Sequence, residues 1–220
     1  MKQAALMFLV LALAAGGAAA EESKSIKLPA PVLSGGMPLM QALHERKTSR
    51  EFSAQALPQQ ILADLLWSAF GINRPATSGR TAPSAMNAQE IDVYVALATG
   101  LYRYDAAKNS LELVAGEDLR AVTGTQAFVK DAPVDLVYVA DFSRAKKFGA
   151  RQDFLAAADA GFISQNVYLF CASSGLATGV RASFDEKALA AALHLRSGQK
   201  LILAQAVGYP KAPAPAGDGK

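Results

Sequence analysis

The chain has 220 residues, of which 51% are hydrophobic, and it carries a formal net charge of +3. This length is enough for one domain with a sizeable core, and so small a charge gives no basis for expecting a nucleic-acid partner. Cys171 is the only cysteine and there are two histidines, which excludes an intramolecular disulfide and argues against a dedicated Cys/His metal site.

The N-terminus has the pattern of a secretory signal peptide spanning Met1–Ala20. Lys2 precedes an apolar run at Ala4–Ala15, and three alanines at Ala18–Ala20 provide a small-residue cleavage site. The apolar run is shorter than the roughly 20 residues that span a bilayer. We therefore expect a periplasmic or secreted protein with no stable membrane insertion after cleavage.

The composition divides the rest of the chain into an arm, one domain and a tail. Residues 21–36 are polar and interrupted by prolines, which indicates an extended arm or linker. A single domain follows at residues 37–211, and the Pro- and Gly-rich residues 212–220 are typical of a disordered tail. The sequence contains neither an internal repeat nor a Gly-rich dinucleotide fingerprint.

Hydrophobic periodicity predicts the elements of this domain. We expect helices at Pro38–Glu45, Pro58–Phe70, Glu117–Val122 and Asp153–Ser174, and a last helix that ends near Leu193 and opens with a Ser183/Glu186 capping box. Strands are predicted at Glu90–Ala98, Gly100–Asp105, Leu111–Val114, Val134–Ala140 and Lys200–Gly208, and a long loop at Ile72–Glu90. This order predicts an α+β fold in which helices wrap an antiparallel or mixed sheet.

A cluster of cations follows the first predicted helix, in a stretch that we call the basic segment (His44–Phe52). Its charged and hydroxyl side chains are Arg46, Lys47, Thr48, Ser49 and Arg50. Such groups, together with free backbone N–H groups, can bind a phosphate monoester. The alternative is a basic turn that faces water.

Four motifs resemble those of the nitroreductase-like flavoenzymes. Arg46–Phe52 resembles the Arg-Arg-Ser-x-Arg-x-Phe motif that holds the FMN phosphate, with Lys for the second Arg and Thr for Ser. Ala82–Gln89 is similar to the Pro-Ser-x-x-Asn-x-Gln flavin loop. Gly161–Asp185 resembles the central dimer helix and the flavin-facing loop after it, and Gly208–Pro210 the closing strand. Their order over residues 37–211 is that of the family.

Two further stretches, Gly100–Val114 and Gln126–Pro133, resemble the azoline-oxidising dehydrogenase branch of these flavoenzymes. The resemblance as a whole implies a homodimeric, FMN-dependent oxidoreductase of small molecules, with two flavin sites at the dimer interface beside the long helix at Asp153–Ser174. That helix is apolar nearly all round, as expected for a core or a subunit interface.

The resemblance also implies which residues bind FMN. Those expected at the phosphate and ribityl end are Arg46, Lys47, Thr48, Arg50 and Lys211; those expected to line the flavin from the partner subunit are Pro83, Ser84 and Asn87; and those expected to face the ring with backbone N–H groups are Ala182 and Ser183. The side chains at the last two positions depart from the Glu-Gly or Gly-Gly often found there.

The sequence assigns no catalytic residue. Its tyrosines at 94, 102, 104 and 168 are candidates only by type, and neither histidine has a pattern that favours catalysis. Two alternatives to an enzyme stay open: a non-catalytic flavin-binding protein of the cell envelope, and a structural domain that has lost the site.

Overall fold

The computed structural model describes residues 25–212, and a seven-stranded sheet forms the centre of this part of the chain. Its strands are β1 (Ser25–Lys27), β4 (Ile91–Leu97), β5 (Gly100–Asp105), β6 (Ser110–Ala115), β7 (Val134–Asp141), β8 (Ala177–Arg181) and β9 (Gln199–Gly208). They lie in the order β1-β6-β5-β4-β7-β9-β8. All the pairings within this sheet are antiparallel, which confirms the predicted α+β fold.

Four α-helices accompany the sheet: α1 (Leu39–Glu45), α2 (Gln59–Phe70), α3 (Gln152–Ser173) and α4 (Glu186–Ala192). Helices α2 and α3 contribute to the main apolar cluster on one face of the sheet, whereas α4 contributes to a second cluster on the other face. Both faces are therefore covered, and alternate residues of β4 enter different clusters: Val93 the first, Tyr94 the second. No helix within residues 25–212 has the length and apolarity needed to cross a bilayer.

Most predicted elements agree with the structure to within one or two residues, but four differ. The predicted loop at Ile72–Glu90 contains a small hairpin of β2 (Ile72–Arg74) and β3 (Gly79–Arg80). The predicted helix at Glu117–Val122 is instead a single 3-10 turn at Arg120–Thr123. The other differences concern residues 25–27, which extend the sheet as β1 instead of remaining a free arm, and residues 177–181, which form strand β8 instead of a loop.

The capping box predicted for α4 was wrong. The N-cap is Asp185, whose carboxylate accepts a hydrogen bond from the backbone N–H of Ala188 at 2.9 Å. Ser183 lies two residues outside the cap, where its carbonyl accepts a hydrogen bond from the backbone N–H of Thr125 at 3.0 Å. The predicted signal peptide at Met1–Ala20 lies outside the described residues, as does residue 213 onward of the predicted tail.

The long helix α3 has both a buried face and an exposed apolar one. Ile163, Val167 and Cys171 are fully buried. In contrast, Phe154 is 63% exposed and Phe162 is 47% exposed. Large aromatic side chains in water on a helix of this length point to a surface that another chain can cover.

Candidate functional site

The basic segment lies along the outer edge of strand β8, at the end of the sheet. The backbone N–H of Ser49 donates to the carbonyl of Thr178 at 2.9 Å, and that of Ser53 donates to the carbonyl of Tyr209 at 2.9 Å. A β-carbon at Gly179 would lie 2.9 Å from the carbonyl oxygen of Ser49, so a larger residue there would displace the segment. Main-chain contacts thus fix the segment against the sheet.

Tyr168 of α3 links the helix, the sheet edge and the basic segment. Its hydroxyl accepts a hydrogen bond from the backbone N–H of Val180 at 3.0 Å and lies 2.9 Å from the hydroxyl of Thr48. The guanidinium of Arg46 lies 5.3 Å from the centre of the tyrosine ring, which is cation–π distance. One buried tyrosine therefore orients two of the residues predicted to meet the phosphate.

The cations of the basic segment are not neutralised by acidic side chains. None of the ion pairs formed within residues 25–212 involves Arg46, Lys47 or Arg50. Because side chains alternate along an extended chain, Arg46, Thr48 and Arg50 share one face and Lys47 and Ser49 the other. The first face has two cations and a hydroxyl, the donor set that binds a phosphate.

The opposite face of the segment borders a cavity of about 310 Å³. Lys47 and Ser49 reach this cavity, together with Tyr168 and the apolar side chains of Met37 and Leu176. The cavity therefore lies behind the predicted phosphate face, and Arg46 and Arg50 are not among its lining residues. The predicted anion-binding role fits the face of Arg46, Thr48 and Arg50 better than the cavity, because this face has two cations, whereas Lys47 and the acidic Glu45 both line the cavity.

Lys211 is the one predicted contact from the C-terminal strand, and it lies beside the basic segment. Its backbone N–H donates to the carbonyl of Glu51 at 3.2 Å, next to an isolated bridge between Phe52 and Pro210. The side chain of Lys211 is exposed. The fold thus brings a fourth cation to the same end of the sheet.

Ala182 and Ser183 are exposed and directly follow β8. Three residues of extended chain separate Ala182 from Gly179, which corresponds to about 10 Å along the strand. The turn is held by Arg181, whose buried guanidinium donates to Asp135 at 2.5 Å and to the hydroxyl of Thr123 at 2.7 Å. Burial raises the pKa of Asp135 to about 7, despite the guanidinium beside it.

The Ala82–Gln89 loop does not reach the basic segment within one chain. The loop is attached to α3 where the backbone N–H of Ala85 donates to Asp159 at 2.8 Å, whereas the basic segment meets α3 at Tyr168. Nine residues of helix correspond to about 14 Å. Pro83 and Asn87 are exposed and Ser84 is half-buried, so all three predicted loop residues lie apart from the phosphate face.

The chain matches a family of known proteins over most of its length. The profile of the Nitroreductase family covers residues 43–209, which begin just before the basic segment and end at Tyr209. The chain is therefore a member of the nitroreductase family.

Individual nitroreductase-family proteins show how broad the likeness is. A crystal structure of a Ralstonia eutropha protein described as a nitroreductase is 44% identical, with a TM-score of 0.83 over 87% of this chain and 92% of that one. A protein of Methanocaldococcus jannaschii named as a nitroreductase is 27% identical over 161 residues, which are 68% of this chain and 81% of its own length.

A chain of the Escherichia coli microcin synthetase McbBCD complex shares the fold. Its TM-score is 0.67 at 22% identity, over 93% of this chain and 85% of that one. A sequence identity this low shows only a shared fold, so membership of the azoline-oxidising branch stays a prediction.

Sequence reasoning missed two residues that shape this nitroreductase site. Tyr168 was a candidate only by residue type, and Gly179 had no assigned purpose within its motif. Both act through contacts between segments more than 100 residues apart in the chain, since Thr48 and Tyr168 are separated by 120 positions. No local pattern in a single sequence records such a pairing.

Proposed function

We propose that this nitroreductase-family protein is an FMN-dependent oxidoreductase of small molecules that works as a homodimer with flavin between the protomers. The observation that carries the proposal is the exposed face of Arg46, Thr48 and Arg50 on the edge of β8, whose cations have no carboxylate partner within residues 25–212. Unneutralised cations beside a hydroxyl fit a phosphate monoester.

The residues present fit one FMN in size as well as in charge. The turn at Ala182 and Ser183 lies about 10 Å along β8 from the basic segment, a spacing that suits a phosphate at one end and a ring at the other. Arg46, Thr48, Arg50 and Lys211 would hold the phosphate end, and the exposed turn would offer backbone N–H groups to the ring. FMN when bound supplies hydride and electron transfer, so the chain's own task is to bind and orient it.

Two features support the proposed dimer: the position of the Ala82–Gln89 loop and the exposed apolar side chains. The loop lies about 14 Å along α3 from the basic segment of its own chain, which leaves it free to cover the flavin of the partner subunit. Large apolar side chains are exposed on α1, on α3 and in this loop: Leu39, Met40, Leu43, Met86, Phe154 and Phe162. A second copy that covers them would complete both sites.

We also propose that the mature protein acts in the periplasm or outside the cell, because of the signal-peptide pattern at Met1–Ala20. Fractionation of the cells that make the protein tests this proposal, and a full-length form confined to the cytoplasm would contradict it.

The chromophore tests the cofactor. The purified mature protein should show a flavin absorbance spectrum, and heating should release FMN and not FAD, since the site offers one compact anion face and the sequence has no dinucleotide fingerprint. Release of FAD, or no uptake of FMN by the apoprotein in titration, would overturn the proposal. If the protein has a flavin spectrum and no small-molecule oxidant or reductant changes that spectrum, the protein binds flavin but is not an enzyme.

A further inference from the structure

Two buried carboxyl groups meet beneath the Ala82–Gln89 loop. Glu90, at the end of the loop, is 0% exposed, and Asp159 of α3 is 2% exposed. The two carboxyls contact adjacent residues of the loop, Glu90 the hydroxyl of Ser84 at 3.3 Å and Asp159 the backbone N–H of Ala85 at 2.8 Å, which brings them close together. Buried side chains of this kind are rare unless they are paired with a cation, and neither residue takes part in an ion pair within residues 25–212.

The two arginines that contact Gln89 and Glu90 have other partners as well. Arg144 donates to the backbone carbonyl of Glu90 at 2.7 Å and pairs through the same nitrogen with Asp92 at 2.9 Å. Arg80 donates to the side chain of Gln89 at 2.8 Å. Asp141, whose backbone N–H also donates to the Glu90 carbonyl, pairs through its side chain with Arg196.

Two adjacent carboxyls in a buried site without a cation cannot both be ionised at low cost. Burial, with Asp159 as the neighbouring charge, raises the pKa of Glu90 to about 7. One proton shared by the pair removes the repulsion and supplies a hydrogen bond between the two groups. The Oε1 atom of Glu90 has no hydrogen-bond partner within the described residues.

The pair holds a strained segment in place. Within the loop, Met86, Asn87 and Gln89 have positive φ angles of 52°, 52° and 50°, which cost energy in residues other than glycine. Asp159 accepts the backbone N–H of Ala85 at 2.8 Å. The hydroxyl of Ser84 contacts Glu90 at 3.3 Å and accepts the backbone N–H of Gln89 at 2.7 Å.

We propose that Glu90 and Asp159 share one proton and act as positioning residues that keep the Ala82–Gln89 loop closed over the flavin of the partner subunit. The role over the flavin rests on the proposed function. The hydrogen bonds to Ala85 and Ser84 are the physical link, because loss of the shared proton places two anions in contact and favours opening of the loop. The pair thereby makes flavin retention depend on pH.

The direction of this dependence follows from linkage. In the open loop, Glu90 in water has its ordinary pKa of 4.5, whereas in the closed loop the pKa is about 7. The closed form binds the proton more tightly, so closure is favoured most below pH 4.5, weakens between pH 4.5 and 7 and changes little above pH 7. The opening equilibrium should rise by more than about tenfold between pH 5 and 7.5.

Hydrogen exchange of the Ser84–Gln89 backbone tests the pair without any need for flavin. After correction for the intrinsic pH dependence of exchange, the protection factors of these amides in the wild type should fall at least about tenfold between pH 5 and 7.5. Glu90→Gln, which stays neutral, should retain its protection over this range. Glu117→Gln, at an exposed position, serves as the matched control and should follow the wild type.

Asp159→Asn gives a second route to the same result should Glu90→Gln fail to fold. Its amide oxygen can still accept the Ala85 N–H, but the neighbouring charge is gone, so the pH dependence should flatten. Equal slopes for the wild type and a folded variant of either kind would overturn the shared proton.

The flavin role has its own measurement. The FMN dissociation rate, followed by the fluorescence of released flavin, should rise with pH in the wild type and in Glu117→Gln and should stay level in Glu90→Gln. If the protein binds no FMN, the proposed function fails while the exchange experiment still decides the pair. If FMN binds and its release rate has the same pH profile in all three proteins, the positioning role is wrong.

Discussion

The hydroxyl oxygens of Thr48 and Tyr168 lie 2.9 Å apart, and this contact joins the basic segment to the C-terminal half of α3. Tyr168 already accepts a hydrogen bond from Val180. Its single hydroxyl proton can be donated to Thr48, which leaves the proton of Thr48 available to an anion. The tyrosine thereby orients a donor of the proposed phosphate site without touching the phosphate.

Tyr168→Phe should weaken FMN binding without abolishing it. The variant keeps the ring beneath Arg46 and removes both hydrogen bonds of the hydroxyl, of which the one to Thr48 reaches a predicted phosphate contact. A hydrogen bond of this kind is worth about 0.5–1.5 kcal/mol, so the dissociation constant should rise by roughly two- to tenfold. Fluorescence titration of the apoprotein with FMN measures this. Tyr102→Phe is the matched control, because its hydroxyl donates to Thr99 in the hairpin of β5. An unchanged affinity in Tyr168→Phe would remove the tyrosine from the site.

The two arginines of the basic segment should matter more than the lysine between them. Arg50 shares the exposed face with Arg46 and Thr48, whereas Lys47 lines the cavity on the other side. A charge-assisted hydrogen bond contributes about 1.5–3 kcal/mol, so Arg50→Ala should weaken FMN binding about tenfold or more.

Lys47→Ala is the matched variant, and we expect only a small loss. The comparison requires both proteins at the same ionic strength, since salt screens exposed charges. Small, equal losses in the two variants would mean that the basic segment is a water-facing turn.

The sequence carried enough information for five of the seven strands of the sheet and for the motif positions, and too little for the contacts between them. Alternating apolar residues located β4, an apolar run located β7, and Gly71 marked the end of α2, because these signals are local. Strand β8 was missed because its five residues, Ala-Thr-Gly-Val-Arg, contain a glycine that weakens any strand pattern. A glycine is needed there because the carbonyl of Ser49 leaves no room for a side chain. The two residues are 130 positions apart, so local periodicity does not encode their contact.

Gly179→Ala should displace the basic segment. The added methyl would lie 2.9 Å from the Ser49 carbonyl and 3.4 Å from the methyl carbon of Thr48, closer than side-chain carbons normally approach a backbone oxygen. We expect weaker FMN binding and a lower melting temperature. Gly116→Ala is the control, because nothing lies within 4 Å of its added carbon and the position is exposed, away from the basic segment and from α3. Equal FMN affinity in the two variants would contradict the close approach.

The exposed apolar face of α3 should be the dimer interface. Phe162 is 47% exposed on this helix. Phe162→Glu would bury a charge in the apolar centre of the interface, which costs free energy. Sedimentation at low micromolar concentration should show the wild type near twice the mass of the chain and the variant shifted to monomer, with loss of bound FMN.

Ala121→Glu is the control: it lies exposed in the Arg120–Thr123 turn, whose Val122 packs on the cluster at the opposite face of the sheet, and it should remain a dimer with FMN. A wild-type monomer that carries FMN would show that one chain makes the whole site, and the shared-site proposal would fall.

The physiological electron donor should not be a nicotinamide nucleotide. An exported protein does not meet nicotinamide nucleotides in quantity, because they are charged molecules of the cytoplasm, and the signal-peptide pattern at Met1–Ala20 predicts export. We therefore expect the physiological reductant to be a small redox molecule, another envelope protein, or the substrate itself if the enzyme acts as a dehydrogenase. Anaerobic stopped-flow mixing of the FMN-loaded protein with NADH or NADPH measures this directly. Slow, unsaturable bleaching of the flavin absorbance is the expected result, whereas rapid bleaching that saturates at micromolar nucleotide would reveal a site built for nicotinamide. Dithionite serves as the control, because it should bleach the same flavin at once and show that the cofactor is reducible.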